Sequence, residues 1–290
     1  MKKIITFLLA AICLNSVMLG VSIAEVKVGV QAPRGALKAI KKWGELGTYL
    51  QTSIGDTVKI IPLKPNETID SVSSGAVDYM LANPVLTVAM EKKIGSVPLV
   101  TLKRKSGSQF AGVIISKKGS GIKKGADLKG KKVLGFKFKK SAAAYVFQVK
   151  HLMDQGIDAH KDFAVFKEAK KQDDIVLAVN AGVFDAGFIK SGLLEAMEKE
   201  GKIKISDFEI IDQQNDSLKQ VHSTILYPEW YMSASAKADA GTSDKLKKAL
   251  LNLSPSDKAS KSAKIVGFVD ALSLDALDET LKSLKLPPYD

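Results

Sequence analysis

Apolar and polar residues alternate over Val26-Lys27-Val28-Gly29-Val30, as in a strand with one covered face. After a loop at residues 31–35, Leu37, Ile40, Trp43, Leu46 and Leu50 recur at helical spacing and predict a helix. Residues 57–63 read as a second strand and residues 67–74 as a short helix. The order strand–helix–strand–helix–strand implies parallel pairing through right-handed crossovers. Two further strands are expected at 97–103 and 110–116, around a turn at 105–108. A second series opens near Gly119 and Gly121: a helical turn at 126–130, a strand at 132–136, then a long helix from about 142 to 155, closed by Gly156. A strand at 163–166 and a helix at 173–180 follow. Residues 222–227 read as a return strand, with helices at 243–253 and 256–266 and a tail helix at 274–284.

Two segments of this pattern repeat. Ser74-Gly75-Ala76-Val77-Asp78-Tyr79-Met80-Leu81-Ala82-Asn83-Pro84 aligns without a gap with Ala181-Gly182-Val183-Phe184-Asp185-Ala186-Gly187-Phe188-Ile189-Lys190-Ser191. Each glycine suits the left-handed position that closes a helix. The run after each Asp is too short and apolar for a surface helix and predicts a buried strand of a parallel sheet. Where such a strand passes into a helix, backbone N–H groups point outward, and open α/β sheets bind ligands at that edge. The expected fold is therefore α/β with two similar lobes, each a mostly parallel sheet flanked by helices, and a cleft between them such as a solute-binding protein needs. Residues 25–111 and 224–290 would form the first lobe and 112–223 the second, joined by a two-segment hinge.

The first 24 residues read as a secretory leader: Lys2-Lys3, a short apolar core from Ile4, then small residues before a cut near Ala24. No later segment is long and apolar enough to span a membrane. The single cysteine, Cys13, lies in the leader behind the bulky Ile12, which argues against lipidation. The exported chain would then have no disulfide, metal thiolate or cysteine nucleophile. The net charge of +12, less Lys2 and Lys3, is +10. Scattered rather than striped lysines argue against nucleic acid and favour attraction of small anions.

The order of Arg34-Gly35 before a Trp-containing helix, Gly75-Ala76-Val77-Asp78 with Asn83-Pro84, and Asp127-Leu128-Lys129-Gly130-Lys131-Lys132-Val133 resembles one family. It is similar to the periplasmic phosphate/phosphite/phosphonate-binding proteins of ABC transporters. Gly156-Ile157-Asp158 and Gly182-Val183-Phe184-Asp185-Ala186-Gly187 continue the resemblance. Arg34-Gly35, Asn83-Pro84 and Leu226-Tyr227-Pro228-Glu229-Trp230 also resemble the extracytoplasmic sensor domains of tetrathionate-detecting histidine kinases. The resemblance implies a free-standing monomeric protein that captures a small phosphorus or sulfur oxyanion. Its membrane partner would be an ABC permease or a sensor kinase.

Within that frame the candidate ligand-binding residues are Arg34, Asn83, Gln109, Lys137, Ser141, Ala142, Tyr145, Lys190 and Ser191. Ser141 is placed either to cap the long helix or to donate its hydroxyl to an anion beside the free N–H groups of Ala142 and Ala143. In phosphonate binders this loop is a run of Ser, Thr and Gly; Lys137, Lys139 and Lys140 stand here instead, a source of charge or a solvated surface. Arg34 offers a fork for an oxyanion or a plain surface charge. Asn83 caps a helix begun by Pro84, on the cleft edge. Lys190 and Ser191 hold the matching place in the second copy. Gln109 reaches the hinge side, and Tyr145 walls the pocket or packs in the core. His151, His160 and His222 lack metal-ligand spacing, and no cofactor is expected. Asp78 and Asp185 suit a structural role, and no nucleophile elbow or phosphate loop marks an enzyme.

Overall fold

The computed structural model describes residues 25–32 and 35–290, so the expected leader, Cys13 and Arg34 lie outside the described residues. The first half runs β1 (Glu25–Gln31), α1 (Ala36–Ile54), β2 (Thr57–Leu63), α2 (Thr68–Ser73), β3 (Tyr79–Ala82), α3 (Pro84–Ile94), β4 (Val97–Lys103) and β5 (Gln109–Phe110). The chain then crosses into β6 (Gly112–Lys117), β7 (Lys132–Gly135), a π turn (Ala142–Val146) and α4 (Phe147–Asp154). Next come α5 (Ala159–Asp162), β8 (Val165–Glu168), α6 (Gln172–Asn180), β9 (Ala186–Lys190), α7 (Leu193–Lys199) and β10 (Phe208–Ile210). It returns through β11 (Tyr227–Pro228) and β12 (Tyr231–Ala234), and ends with α8 (Ala240–Leu251), α9 (Lys258–Ala263), β13 (Gly267–Asp270) and α10 (Asp275–Ser283).

Two sheets result. The six-stranded one has the order β13-β4-β12-β3-β1-β2, and the five-stranded one β10-β6-β9-β7-β8. In the first, β1, β2 and β3 are parallel, with Val28 opposite Ile60 on one side and Tyr79 on the other. In the second, β7 is parallel to β8 and β9. Helices pack against both arrays, and the central strands β3 and β9, buried along nearly their whole length, are apolar on successive residues rather than alternating. Gly187 in β9 permits this closeness: a Cβ there would meet Ile175 of α6 at 2.2 Å. Gly75 and Gly182 take φ of 79° and 72°, the left-handed helix stops expected of both repeats. Two strands of the crossing, β5 and β11, pair with each other between the sheets. Among the described residues no helix is long and apolar enough to cross a membrane.

Several local expectations change. Trp43, Leu46 and Leu50 are buried, but Leu37 and Ile40 of the same spacing are 88% and 44% exposed, while Ala39 between them joins the core, so the buried face of α1 runs through Ala39 and leaves those two on its flank. Residues 222–226 form no strand; the return strand is β12, which inserts between β3 and β4. Ser223 and Thr224 instead take the Ile114 and Gly112 N–H groups on their buried hydroxyls, bracing the crossing against β6. The strand expected at 163–166 lies two residues later, and the helix read at 256–266 is shorter, spanning Lys258–Ala263 as α9, with β13 following from Gly267. The tail helix α10 packs on α3, and its Leu277 and Leu281 join a core cluster that also holds Phe147 and Phe188.

Candidate functional site

Strand directions decide which edges face the crossing. Since β4 is antiparallel to β12, and β12 to β3, the C-terminal ends of β1, β3 and β4 share one edge of the six-stranded sheet. The chain leaves that edge after Lys103 and enters β6, whose first residue, Gly112, pairs with Lys190 at the end of β9. The C-terminal ends of β7 and β9 therefore open toward the same crossing, and ligands of open α/β sheets bind at such edges.

Asn83 ends β3 and caps α3. Its Oδ1 accepts the Leu86 N–H at 3.1 Å, and its Nδ2 and backbone N–H both donate to Gln31 Oε1 at 3.0 Å. Gln31 is buried at the end of β1, so this pair locks two strand ends into one rim. On the other lobe, the loop after β7 folds back on itself. Lys137 and Lys139 adopt left-handed φ of 44° and 64°, and the Ser141 N–H bonds the Lys137 carbonyl at 2.9 Å. The Phe138 N–H donates to Glu168 Oε1 at 2.6 Å, and its ring stacks on Tyr145 and Phe166.

Ser141 stands at the N-cap position but makes no side-chain cap hydrogen bond. Its carbonyl receives the Val146 N–H, five residues on, so the helix opens with a π turn. First-turn N–H groups of a helix have no intrahelical acceptor, and a π turn of this kind is common at functional sites. The hydroxyl is thus uncommitted to the cap and lies beside N–H groups suited to an anion. Ala142 is buried at that turn.

Tyr145 is 3% exposed and belongs to an aromatic cluster with Phe138 and Phe166, its hydroxyl 2.7 Å from His160 Nε2. Burial, with the Asp158 and Glu168 carboxylates, pushes its phenol up to about 12. The structure places it in the core behind the loop. Ser191 is buried too; its Oγ accepts the Ala111 N–H at 3.1 Å and its N–H returns to the Ala111 carbonyl. Gln109 pairs with Pro228 in the crossing ribbon. Lys137 is half-buried with Nζ 5.4 Å from the Phe136 ring centre, and Lys190 is exposed at the strand end. His151 and His160 bond Asp212 and Tyr145 respectively. Among the described residues no cluster of His, Asp and Glu could hold a metal.

Charged residues absent from the sequence-level set also meet at this edge. Arg104, just past β4, donates from Nε to Glu229 Oε1 at 2.5 Å, and Glu229 is 5% exposed. Lys42 of α1 lies with Nζ 4.7 Å from the Trp43 ring centre. Burial, then Arg104 and Lys190, pull its ammonium down to about 8. Gln148 of α4, fully buried, donates from Nε2 to the carbonyls of Ile189, Ala143 and Val113 at 2.8, 2.9 and 3.2 Å. It ties the π turn to the strand end that carries Lys190. The opposite charges on the two crossing segments were the one available signal for Arg104 and Glu229. Lys42 and Gln148 had none, because helical periodicity says nothing about a helix flank.

The profile of ABC-transporter phosphonate periplasmic substrate-binding proteins matches residues 32–276. The chain belongs to this family. Family membership makes it a periplasmic solute-binding protein of the phosphonate-binding type. The chain is also 28% identical over 231 residues to the tetrathionate sensor histidine kinase TtrS of Salmonella typhimurium. That match takes in 78% of this chain but 39% of the kinase. PhnD1 of Prochlorococcus marinus, solved with methylphosphonate, superposes with a TM-score of 0.69 at 18% identity, over 90% of this chain and 98% of that one. XAC2383 of Xanthomonas citri, solved with ATP, does so at 0.74 and 16% identity, with the same coverage. These structures share the two-lobed fold.

Proposed function

We propose that the protein captures a small oxyanion of the phosphate/phosphite/phosphonate class in the cleft between its lobes and delivers it to an ABC permease. The lobes would divide near residues 111–112 and 223–224, and closure would bury the anion. The observation that carries this reading is the uncapped helix start at Ser141, in the loop after the C-terminal end of β7, on the edge that opens toward the crossing where Arg104 follows β4 and Lys190 ends β9. A buried anion is stable only where each oxygen finds donors, and this edge offers backbone N–H groups, a hydroxyl and cations together. Of the sequence-level set, Ser141, Ala142, Lys137 and Lys190 are the residues we assign to the anion. Asn83 and Gln109 would shape the rim, and Ser191 and Tyr145 support it from behind. Arg34 is retained from the sequence. The protein works as a monomer in the periplasm after loss of residues 1–24, and its task is capture without catalysis or nucleic acid.

A second reading rests on the likeness to the TtrS sensor. There the ligand is a sulfur oxyanion, and the ligated protein docks on a membrane sensor kinase.

A thermal-shift panel of phosphate, phosphite, methylphosphonate, sulfate, thiosulfate and tetrathionate on refolded, ligand-free protein tests both. A ligand at a hundred times its Kd adds about 2.7 kcal/mol to the folded state. A shift with a phosphorus anion supports transport, and one confined to a sulfur anion supports sensing. No shift with any of the six overturns oxyanion capture.

A further inference from the structure

Lysines scattered along the chain gather on one outer face of the first lobe. In α1, Leu37, Lys41 and Gly44 recur at i, i+4 and i+7 on the side opposite the buried Trp43, Leu46 and Leu50, with Lys38 and Ile40 on either flank. Helix α9 lies alongside: Ser262 donates its hydroxyl to the Lys41 and Lys42 carbonyls at 2.9 and 3.3 Å. Ala259, Ser260 and Ala263 of α9 are buried, which turns Lys258 and Lys261 outward, and Lys264 closes the helix as an exposed left-handed cap. On the other side of α1, the Tyr49 hydroxyl donates to the Ala249 carbonyl of α8 at 2.8 Å. Tied to both neighbours, α1 presents a fixed platform.

Two features set this platform apart from an ordinary solvated surface. The first is its charge. Lys38, Lys41, Lys42, Lys258, Lys261 and Lys264 stand against two carboxylates, Glu45 and Asp257. Asp257 Oδ2 already accepts the Ser254 N–H at 2.8 Å. Among the described residues none of the six lysines forms an ion pair with a carboxylate. The second is Leu37, 88% exposed in the midst of that charge, with Ile40 one turn on.

A lone exposed leucine needs no explanation, but two aliphatic side chains ringed by unpaired lysines match the chemistry of an anionic bilayer surface. There the aliphatic groups enter the acyl boundary while the ammonium groups stay with the phosphates. A protein partner would be met by a different set. Protein interfaces concentrate Arg, Tyr and Trp and are depleted in Lys. Here every cation is a lysine, and the aromatic residue in this part of α1, Trp43, is buried.

We propose that the α1–α9 face is a docking surface for anionic phospholipid, seated by Leu37 and Ile40 and held by the surrounding lysines. Neither the two aliphatic side chains nor the charge suffices alone, so the contact is reversible and leaves the protein free to exchange with solution. This surface is independent of which anion the cleft takes.

The test is co-sedimentation of the exported chain, residues 25–290, with vesicles of equal parts phosphatidylglycerol and phosphatidylcholine, against vesicles of phosphatidylcholine alone. Binding should require phosphatidylglycerol and fall more than about tenfold at about 1 M salt, where the screening length is about 3 Å. Lys38→Gln/Lys41→Gln should weaken binding by about fivefold per lysine. Leu37→Gln/Ile40→Gln should weaken it by about tenfold. A control, Lys123→Gln/Lys124→Gln, removes the same charge from exposed positions on the second lobe and should stay within about twofold of wild type. All three variants change exposed side chains, so their unliganded melting temperatures should match wild type. No binding to the phosphatidylglycerol vesicles overturns the proposal, and so does an equal loss in the control, which would make net charge the cause. Polyglutamate in solution stands in for an acidic protein. If polyglutamate binding falls in the lysine variant while vesicle binding is indifferent to Leu37 and Ile40, the lipid assignment is overturned and the face takes an acidic polypeptide.

Discussion

Asp185 accepts the backbone N–H of Lys132 on Oδ2 at 2.7 Å and returns its own N–H to the Lys132 carbonyl at 2.9 Å. Asp78 does the same with Lys27, at 2.8 and 2.9 Å. In each copy the residue before the strand clamps the start of the neighbouring parallel strand. That clamp lies at the opposite sheet edge from the ligand-binding one, so the repeated acid is structural.

Replacing either acid should therefore lower stability and leave anion affinity alone. A hydrogen bond to a charged group contributes roughly 1.5–3 kcal/mol, and Asp78→Ala or Asp185→Ala should lose about that much. Urea unfolding measures the loss; calorimetry with the bound anion should give a Kd within twofold of wild type.

Ser141 should behave in the reverse way. Its hydroxyl makes no cap bond, so Ser141→Ala is expected to stay within about 0.5 kcal/mol of wild type in urea. Anion affinity should fall about tenfold, the worth of one hydrogen bond to a charged group. A stability loss with unchanged affinity would make Ser141 a cap after all.

Gln148 should show both effects. Gln148→Leu leaves the carbonyls of Ile189, Ala143 and Val113 buried without its donor, and each such loss costs about 1–3 kcal/mol. Because Ala143 and Ile189 flank the uncapped turn and Lys190, affinity should drop several-fold as well. Gln148→Glu should recover part of both as its carboxyl is protonated and can donate, and full burial against three carbonyls sets that protonation above the ordinary carboxylate range. Unfolding and binding measured as the pH is lowered check the recovery.

Asp212 gives an acid-stability prediction. Burial disfavours its carboxylate, but bonds from Gln155 at 2.8 Å, His151 at 2.9 Å and the Gly125 N–H at 3.2 Å together hold it below the usual range. A depressed carboxylate stabilises the fold above the unfolded value of about 3.9 and stops doing so as pH falls through the folded value. Asp212→Asn should be less stable than wild type at pH 7, and the two should converge towards about pH 2. Thermal unfolding at both ends of the range tests this.

Much of the architecture was legible in the chain. Gly75 and Gly182 stop helices where a positive φ is needed, and the apolar runs after Asp78 and Asp185 became β3 and β9. The return strand was misplaced because residues 222–227 look like a strand by composition, yet Ser223 and Thr224 spend their hydroxyls on β6. Leu37 and Ile40 satisfy helical spacing, but period alone does not say how wide the covered face of a helix is, and here that face runs through Ala39.

The sequence by itself determined what depends on neighbours in the chain: element order, glycine stops, the repeated acid and the polar turn at Ser141. Those features follow from local backbone preference and from periodicity. Tertiary structure alone decided the site's electrostatics. Arg104 meets Glu229 across 125 residues because β4 and β12 pair side by side, and Lys42 feels Lys190 because two sheets turn their strand ends toward one crossing. Coulomb forces act through space, and no pattern along the chain records which distant charges the fold will bring within their reach.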